Sequence, residues 1–473
     1  MQDCILTQFK HFRDKMHSLF QHRADATMEL IDALSANQHA RSITELSLNE
    51  PFRRQYGSIR DAIAHFNQEA EQIKSIESFL IQQCDPISKT RPFKLLALDC
   101  TSAPRQYSKT LSDRGIVYKP TPTPGSKPIA VGHQYSVMGF LPEQTDQTKK
   151  VPWILPISTQ RVETETNSIQ VGIEQLNTTM SSLNSELAVN VVDSAYSCPE
   201  YIEATQQHSN LILIARLRSN RVLNHPPQPK QQKITKRRQR GHELWYGESF
   251  NLKASDSWGT PANTLTHSFF SRKGKQHQVI IQSWENILMR QKRGIRLNEY
   301  PFSVVRITVT DENNHSVYNR PMWLMVSGKR RFELDLLSIW SSYKQRFDIE
   351  HFFKFGKERL LMDRFQTPDT LHEESWWQIT ILAYAQLYKA RKIAKSCPNP
   401  WEKYLPEMKK NGKVMSARQT QKSFLRITRK IGTPASFPKP RGNPLGRKTG
   451  AKQPKRERYL IVIKAKVNEK NAA

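Results

Sequence analysis

Apolar residues recur at helical spacing through the N-terminal segment, residues 1–90. They share one face in residues 12–20, 28–34 and 59–80, which predicts amphipathic helices. Basic side chains interrupt this segment, among them Arg53 and Arg54. One interpretation is a helical packing domain whose charges are simply solvated.

After residue 90 the pattern changes to short, mostly apolar runs, and two of these runs stop on an acid. Residues 93–98 precede Asp99, and residues 187–192 precede Asp193. Runs of this length predict buried strands. Because aspartate is depleted in strands and costly to bury unpaired, we expect both carboxylates to lie at a site on the sheet edge. A turn residue or a helix cap is the alternative for either one alone.

The surrounding segments complete an α/β pattern. Strands are predicted at residues 129–140, 151–162 and 210–215, and helices at residues 168–183, 199–207 and 371–394. This order predicts a mixed sheet with helices on both faces. Residues 220–335 add strand-like runs at 278–282, 302–310 and 322–326, with a turn at 311–314. They therefore predict a β-rich insertion subdomain.

A polar stripe crosses an otherwise apolar helical run that begins at residue 336. Its members are Tyr343, Arg346, Glu350 and Lys357. At about 100° per residue they fall within roughly a 60° arc of one helix. A carboxylate flanked by two cations and a phenol suits a place where a phosphodiester meets a hydrated cation. The alternative is an intrahelical ion pair between Arg346 and Glu350.

Three carboxylates thus become candidate metal ligands, namely Asp99, Asp193 and Glu350. Hard oxygen ligands that leave open positions suit Mg²⁺, and Mn²⁺ can substitute. Two such ions, about 3.5 to 4 Å apart, can clamp both the attacking and the leaving oxygen of a phosphodiester. The sequence therefore predicts a site for two Mg²⁺ ions.

These motifs resemble those of a known family. Asp99 followed by Cys100-Thr101, Asp193 followed by Ser194-Ala195-Tyr196, and the stripe at residues 343–357 resemble the cut-and-paste DDE transposases of the insertion-sequence-four group. The resemblance covers residues 91 to 395. It implies an RNase H-like catalytic core in which Asp99, Asp193 and Glu350 hold the metals.

The resemblance also implies a domain plan. It expects an N-terminal helical domain that binds DNA ends at 1–90, the RNase H-like core at 91–219 and 336–397, and the β-rich insertion at 220–335. Composition adds a basic C-terminal arm, partly disordered, at 398–473. The best-known members of that family dimerise through their C-terminal helices. The arm here departs from that pattern, being basic and rich in Pro and Gly.

Further roles follow from the same resemblance. Arg346 and Lys357 would bind phosphates of the element's ends, and Tyr343 would position the same strand. Trp323 would stack on a base flipped out of the duplex as a DNA hairpin forms. A core tryptophan is an equal alternative, because Trp323 begins an apolar strand-like run. The rival stacking residues are Trp245, Trp258 and Trp284.

Composition agrees with a DNA partner. Lys and Arg number 72 against 43 acidic residues, which gives a net charge of +29, and such a surface favours polyanions. Arg216 and Arg218 leave a predicted core strand and are candidate phosphate contacts. Arg237 and Arg238 lie in a basic stretch, residues 226–242, that we interpret as a loop touching the DNA backbone or, alternatively, as a solvated loop.

Several other classes are disfavoured. The five cysteines show no Cys-x2-Cys spacing, so neither a disulfide framework nor a zinc site is expected. No signal peptide and no membrane-spanning segment are recognised, and residues 442–449 do not have the spacing of an ATP-binding loop. We therefore expect a cytoplasmic, nucleoid-associated prokaryotic protein that needs neither membrane nor ATP.

The function expected from the resemblance is DNA transposition. The enzyme would cleave the ends of its element by metal-dependent hydrolysis and transesterification and join the 3′-OH ends to target DNA, with double-stranded DNA as partner and a homodimer in the DNA complex. Two alternatives stand beside it. One is an RNase H-like nuclease without strand transfer, and the other is a catalytically inert DNA-binding relative.

Overall fold

The computed structural model describes most of the chain. Described are residues 2–66, 70–119, 127–144, 151–183, 185–228, 245–271, 274–290, 294–396, 401, 404, 414–440, 446, 448–452 and 454–463. Within these residues no helix combines the length and the apolar character needed to cross a membrane.

The described residues form both helices and strands. The helices are α1 Gln2–Ser18, α2 Ala24–Ser35, α3 Ile43–Leu46, α4 Tyr56–Phe66, α5 Ala70–Ile81, α6 Ser168–Ser182, α7 Pro199–Gln206, α8 Leu336–Gln345, α9 Asp348–Arg359, α10 Thr370–Ala390, α11 Ile393–Ser396 and α12 Ala417–Ile431. The strands are β1 Lys94–Pro104, β2 Gly115–Tyr118, β3 Ile129–Phe140, β4 Leu155–Val162, β5 Ala188–Val192, β6 Leu211–Arg216, β7 Leu223–Asn224, β8 Ser249–Phe250, β9 Asn263–Phe270, β10 Gln276–Met289, β11 Phe302–Asp311 and β12 Met322–Ser327.

The chain divides into two compact units. The first unit contains Met1–Asp85, Cys100–Gly172 and Asp348–Ala473, and the second contains Pro86–Asp99 and Ile173–Phe347. The chain crosses from one unit to the other between Asp85 and Pro86, inside β1, inside α6 and between α8 and α9. These units do not follow the five predicted domains, whose boundaries stay predictions.

The first unit is built around α10. Its side chains are buried on nearly every face, so the helix is surrounded by protein rather than lying on the surface. Trp377 stacks on Tyr135 of β3 with ring centroids 4.0 Å apart, and Trp153 packs against Tyr384 and Tyr388. The prediction of a long helix with core aromatics in residues 371–394 is confirmed.

A buried ion network joins α10 to the strands of the first unit. The Glu373 carboxylate forms an ion pair with Arg105 at 2.5 Å and a hydrogen bond with Nδ1 of His133. Burial would raise the pKa of Glu373, but the bond from His133 and the charge of Arg105 outweigh it and lower that pKa. The network therefore holds an ionised carboxylate inside the core.

The sheet strands of the first unit are antiparallel. Strand β3 pairs with β2 through residues 129–132 and with β4 through residues 134–140, and β1 is its other neighbour. Strands β3 and β1 approach each other closely at Gly132, because a Cβ there would lie 2.2 Å from the carbonyl oxygen of Ala103. The predicted antiparallel pair at 129–140 and 151–162 is confirmed.

Within the predicted basic, partly disordered C-terminal arm, residues 417–431 form helix α12. Its N-terminus carries a capping box between Ser416 and Gln419, which satisfies backbone donors at the helix start. Phe424 and Ile427 are fully buried and its basic residues lie largely on the opposite face. The sequence analysis did not predict this helix because charge dominates the composition of the arm, while the two apolar positions are spaced for one helical face.

The second unit is a mixed, open sheet. Its strand order is β1-β5-β6-β12-β11-β10, with β9 also on β10 and the short β7 and β8 beyond. Strands β1, β5 and β6 are parallel, whereas β12, β11 and β10 continue antiparallel. This mixed α/β arrangement is compatible with the predicted RNase H-like fold, and the strands predicted in residues 278–282, 302–310 and 322–326 are present.

Two element predictions near the candidate site need correction. Strand β1 does not stop at Asp99 but continues to Pro104, because its later residues pair with β3. The single stripe-bearing helix is two helices, since α8 ends at Gln345 and α9 begins at Asp348. The backbone N–H of Arg346 bonds to the carbonyl of Tyr343, three residues back instead of four, and this tightened turn ends the first helix.

Candidate active site

Asp99, inside β1, and Asp193, the residue after β5, occupy equivalent positions on two neighbouring parallel chain segments of the second unit. Leu98 of β1 pairs with Val192, the last residue of β5, and each aspartate is the residue that follows in the sequence. Both strands are fully buried up to that point. Neighbouring parallel strands bring such residues to about 5 Å spacing, which places two carboxylates side by side.

Asp193 begins a loop and shapes it. Its Oδ1 accepts a hydrogen bond of 2.8 Å from the backbone N–H of Ala195, the pattern of an Asx turn. The hydroxyl of Ser197 closes the same loop by donating to the carbonyl of Ser194. One carboxylate oxygen is thus used locally, and this turn fixes the direction of the side chain.

Arg346 contacts Asp99 directly. Its Nη1 donates to Oδ2 of Asp99 at 3.2 Å, and the side chains are 8% and 20% exposed respectively. The guanidinium also lies over the ring of Phe347, 4.8 Å from its centroid. The cation predicted to bind phosphate is therefore held beside the first aspartate.

Tyr343 lies against the same group of charges. The pKa of this buried phenol is raised, first by burial and then by the Asp193 carboxylate, while the cations of Arg346 and Arg216 act in the opposite direction. Its hydroxyl also hydrogen-bonds with Arg346. The second unit thus gathers Asp99, Asp193, Tyr343 and Arg346, with Arg216 near enough to act on the phenol.

Arg216 and Arg218 leave β6 beside this group and both are exposed. Nε of Arg218 donates to the hydroxyl of Ser194 at 3.1 Å. Arg218 therefore contacts the loop that Asp193 begins.

Lys357 belongs to the first unit and is fixed by two acceptors. Its Nζ donates to the Thr101 hydroxyl and to the Ser102 carbonyl, each at 2.7 Å. Burial lowers the pKa of Lys357, Asp363 partly opposes this, and Arg105 lowers the pKa further. The ammonium is thus held by two residues that follow Asp99 closely in the sequence.

Glu350 lies in the first turn of α9 and is exposed. Among the described residues, no group of three or more His, Cys, Asp or Glu side chains could hold a metal ion. Asp99 and Asp193 fit a hard divalent cation by their oxygen chemistry and their adjacent strand positions. A role for Glu350 as the third metal ligand stays a prediction.

Trp323 is a buried member of an aromatic cluster. It is 4% exposed, sits on β12 opposite Arg306, and contacts Trp284, Trp258 and Phe250. This position agrees with the core alternative, and base stacking by Trp323 stays a prediction. Of its rivals, Trp284 is 4% exposed, whereas Trp245 is 49% exposed.

Some predicted contacts fall elsewhere, and others were missed. Arg237 and Arg238 lie outside the described residues. Sequence reasoning missed Arg221 and Arg290, which line a cavity with Arg218. The run Arg216-Leu217-Arg218-Ser219-Asn220-Arg221 contains the signal for Arg221, because three of its six residues are arginine.

Comparison with known proteins gives one family. No curated protein matches the chain. A family model described as DDE superfamily endonuclease matches residues 15–290, more than half of the sequence. The match includes Asp99 and Asp193 and ends before Tyr343. On this match, and with two aspartates side by side on adjacent strands, the chain belongs to the DDE superfamily endonucleases.

Proposed function

We propose that this DDE endonuclease is a DNA transposase of the insertion-sequence-four group. It binds the ends of its element, cleaves them and joins the 3′-OH ends to target DNA. The observation that carries the proposal is the grouping of Asp99 and Asp193 with Arg346 and Tyr343. Two acids with a guanidinium and a phenol suit a phosphodiester that is cut with help from divalent cations.

Asp99, Asp193 and Glu350 are the proposed ligands for two Mg²⁺ ions, which Mn²⁺ could replace. Such ions, when bound, acidify a water molecule and neutralise charge on a leaving oxygen. The protein's own part is to fix the donors. The Asx turn holds Asp193, and the paired strands β1 and β5 fix its spacing from Asp99.

Arg346 has a second proposed role as a phosphate ligand. Its planar fork of donors matches the oxygens of a phosphodiester. In this structure one donor is given to Asp99, so the guanidinium offsets the charge of the carboxylate. Exchange of Asp99 for a phosphate oxygen would then move this donor from the carboxylate to the DNA when DNA is bound.

The remaining cations support backbone contacts. Lys357, with its ammonium oriented by Thr101 and Ser102, and the exposed Arg216 and Arg218 are proposed to bind phosphates of double-stranded DNA. The net charge of +29 favours that partner electrostatically. A homodimer in the DNA complex and association with the nucleoid belong to the same proposal.

Cleavage and joining assays test the function. The substrate is DNA carrying the inverted repeats that flank the gene in its genome, incubated with Mg²⁺ or with EDTA. Asp193→Asn and Glu350→Gln should remove cleavage and keep DNA binding. Asp256→Asn changes an exposed aspartate of the second unit and is the matched control. Wild-type activity in Asp193→Asn would refute the assignment.

The same assay separates the two alternatives. Pre-cut ends with a free 3′-OH are joined to target DNA by a transposase and left unjoined by a nuclease that lacks strand transfer. An inert DNA-binding relative gives neither nicks nor joined products in Mg²⁺. Presence of both carboxylates on adjacent strands favours an active enzyme, because DNA binding alone has no use for two acids.

A further inference from the structure

A cavity lined by three arginines opens in the second unit, beside the loop that Asp193 begins. It has a volume of about 340 Å³. The lining residues are Pro199, Arg218, Asn220, Arg221, Val222, Met289 and Arg290. A water molecule occupies roughly 30 Å³ in the liquid, so a phosphate group fits here together with several waters.

The charge of this cavity is one-sided. Its described lining residues carry three guanidinium groups and no carboxylate. Like charges around one space repel each other, and an anion between them relieves that repulsion. Guanidinium groups bind phosphate oxygens through paired N–H donors. The lining therefore suits a phosphate oxyanion better than a neutral or cationic ligand.

Arg221 also has an unused donor. Its Nη2 donates to the hydroxyl of Ser197 at 3.4 Å, whereas its buried Nε has no hydrogen-bond partner among the described residues. A buried donor without a partner costs about 1 to 3 kcal/mol. A bound oxyanion would satisfy such a donor.

The cavity is linked to Asp193 through hydrogen bonds. Arg218 and Arg221 hold the hydroxyls of Ser194 and Ser197, which lie in the turn that the Asp193 carboxylate organises. Met289, another lining residue, pairs with Leu223 across β10 and β7. Strand pairing thus fixes the wall that carries Arg290 next to the arginine-bearing loop.

We propose that Arg218, Arg221 and Arg290 bind one phosphate of a DNA strand at this cavity, next to the phosphate that is cut at the aspartates. The inference rests on the proposed function for its ligand and extends it to two arginines, Arg221 and Arg290, outside the Tyr343–Lys357 stripe. The bound group is either an internal phosphodiester or a 5′-terminal phosphate.

Salt-dependent DNA binding tests the proposal. Arg221→Gln and Arg290→Gln are titrated with a short duplex of arbitrary sequence at several salt concentrations. Loss of one phosphate contact should weaken binding and reduce the slope of log affinity against log salt by about 1. Arg296→Gln is the matched control, because Arg296 is 77% exposed, lies in the same unit and pairs with Glu299 instead.

Two further arms complete the design. Arg290 is exposed, so its variant should melt at the wild-type temperature even if Arg221→Gln is less stable. Duplexes with a 5′-phosphate and with a 5′-hydroxyl identify the source. A terminal phosphate site prefers the first duplex and loses this preference in Arg290→Gln, whereas an internal phosphodiester site binds both equally and weakens equally in the variant.

The result that overturns the proposal is wild-type affinity and slope in both variants, or an equal loss in Arg296→Gln. Failure of the cavity is distinguishable from failure of the function. If wild-type protein cleaves and joins DNA while both arginine variants bind normally, only the cavity assignment fails. If the arginine variants lose a phosphate contact while wild-type protein neither cleaves nor joins, the transposase proposal fails and the cavity stands.

Discussion

Arg346 donates a hydrogen bond to Asp99 over 3.2 Å, although the two residues lie far apart in the chain. The guanidinium is nearly buried and the carboxylate is only partly so. A mostly desolvated charge pair of this kind interacts more strongly than an exposed one. A ligand that takes Oδ2 of Asp99 must therefore compete with Arg346.

This competition predicts opposite effects of Arg346→Ala on two measurements. Removal of the guanidinium takes away a positive charge that competes for the Asp99 carboxylate, so Mn²⁺ should bind more tightly, as measured by calorimetry without DNA. Cleavage should fall by about 100-fold or more, because a phosphate ligand is lost. Arg346→Lys keeps the charge without the fork and should give intermediate values. Unchanged Mn²⁺ affinity in Arg346→Ala would contradict the competition.

Lys357 predicts an alkaline limit on DNA binding. Because burial lowers its pKa below the usual 10.5, the ammonium loses its proton, and its charge, as the pH rises through that lowered value. Binding that depends on Lys357 should therefore weaken before ordinary lysines titrate. Lys357→Arg should shift the limit to higher pH, since arginine stays charged. If DNA binding by that variant weakens at the same alkaline pH as in the wild type, Lys357 is not the group that sets the limit.

The same shift has a stability consequence. The folded protein disfavours charged Lys357, so the unfolded state binds more protons between the lowered pKa and 10.5. Stability should therefore rise with pH in that window. Lys357→Met removes this contribution, and denaturant unfolding at several alkaline pH values measures it.

Trp323→Ala distinguishes a core residue from a stacking residue. Its ring is 4% exposed among other aromatics, so truncation should lower the free energy of unfolding by about 3 to 5 kcal/mol. Trp245→Ala, at a ring 49% exposed, should change it by less than about 0.5 kcal/mol. Denaturant unfolding measures both. Wild-type stability with impaired hairpin formation in Trp323→Ala would instead favour stacking.

Glu373→Gln tests the buried ion network of the first unit. The change leaves Arg105 charged and unpaired in the core, which should cost about 3 to 5 kcal/mol. Because the pKa of Glu373 is lowered in the folded state, its stabilising contribution is present above the usual carboxyl pKa of 4.5 and is lost as the pH falls through the lowered value. The free energy of unfolding of the variant should therefore lack this decrease at acidic pH, which denaturant unfolding at several pH values measures.

Sequence reasoning located Asp193 well because a continuous apolar strand precedes it and the next element is a turn. It predicted the strand that contains Asp99 but ended that strand too early. The pairing that extends β1 to Pro104 comes from β3, a partner distant in sequence. Local patterns carry no information about such a partner.

The stripe shows a second limit. Helical periodicity continues through Arg346 and Phe347, yet the backbone turns there, and the contact that engages Arg346 is with Asp99. The cavity arginines were missed for a similar reason. Arg221 and Arg290 are far apart in sequence and meet because β7 and β10 pair, so only the folded chain brings them together.

Helix α12 has a practical consequence for anyone who shortens this protein. A cut before Ser416, made to discard a tail that looks unstructured by composition, would also delete Phe424 and Ile427, both fully enclosed, and Gln421, whose amide donates to the carbonyl of Leu34. The remaining polypeptide would expose apolar surface where that helix had been. Its poor yield would then be mistaken for a requirement for the tail in DNA handling.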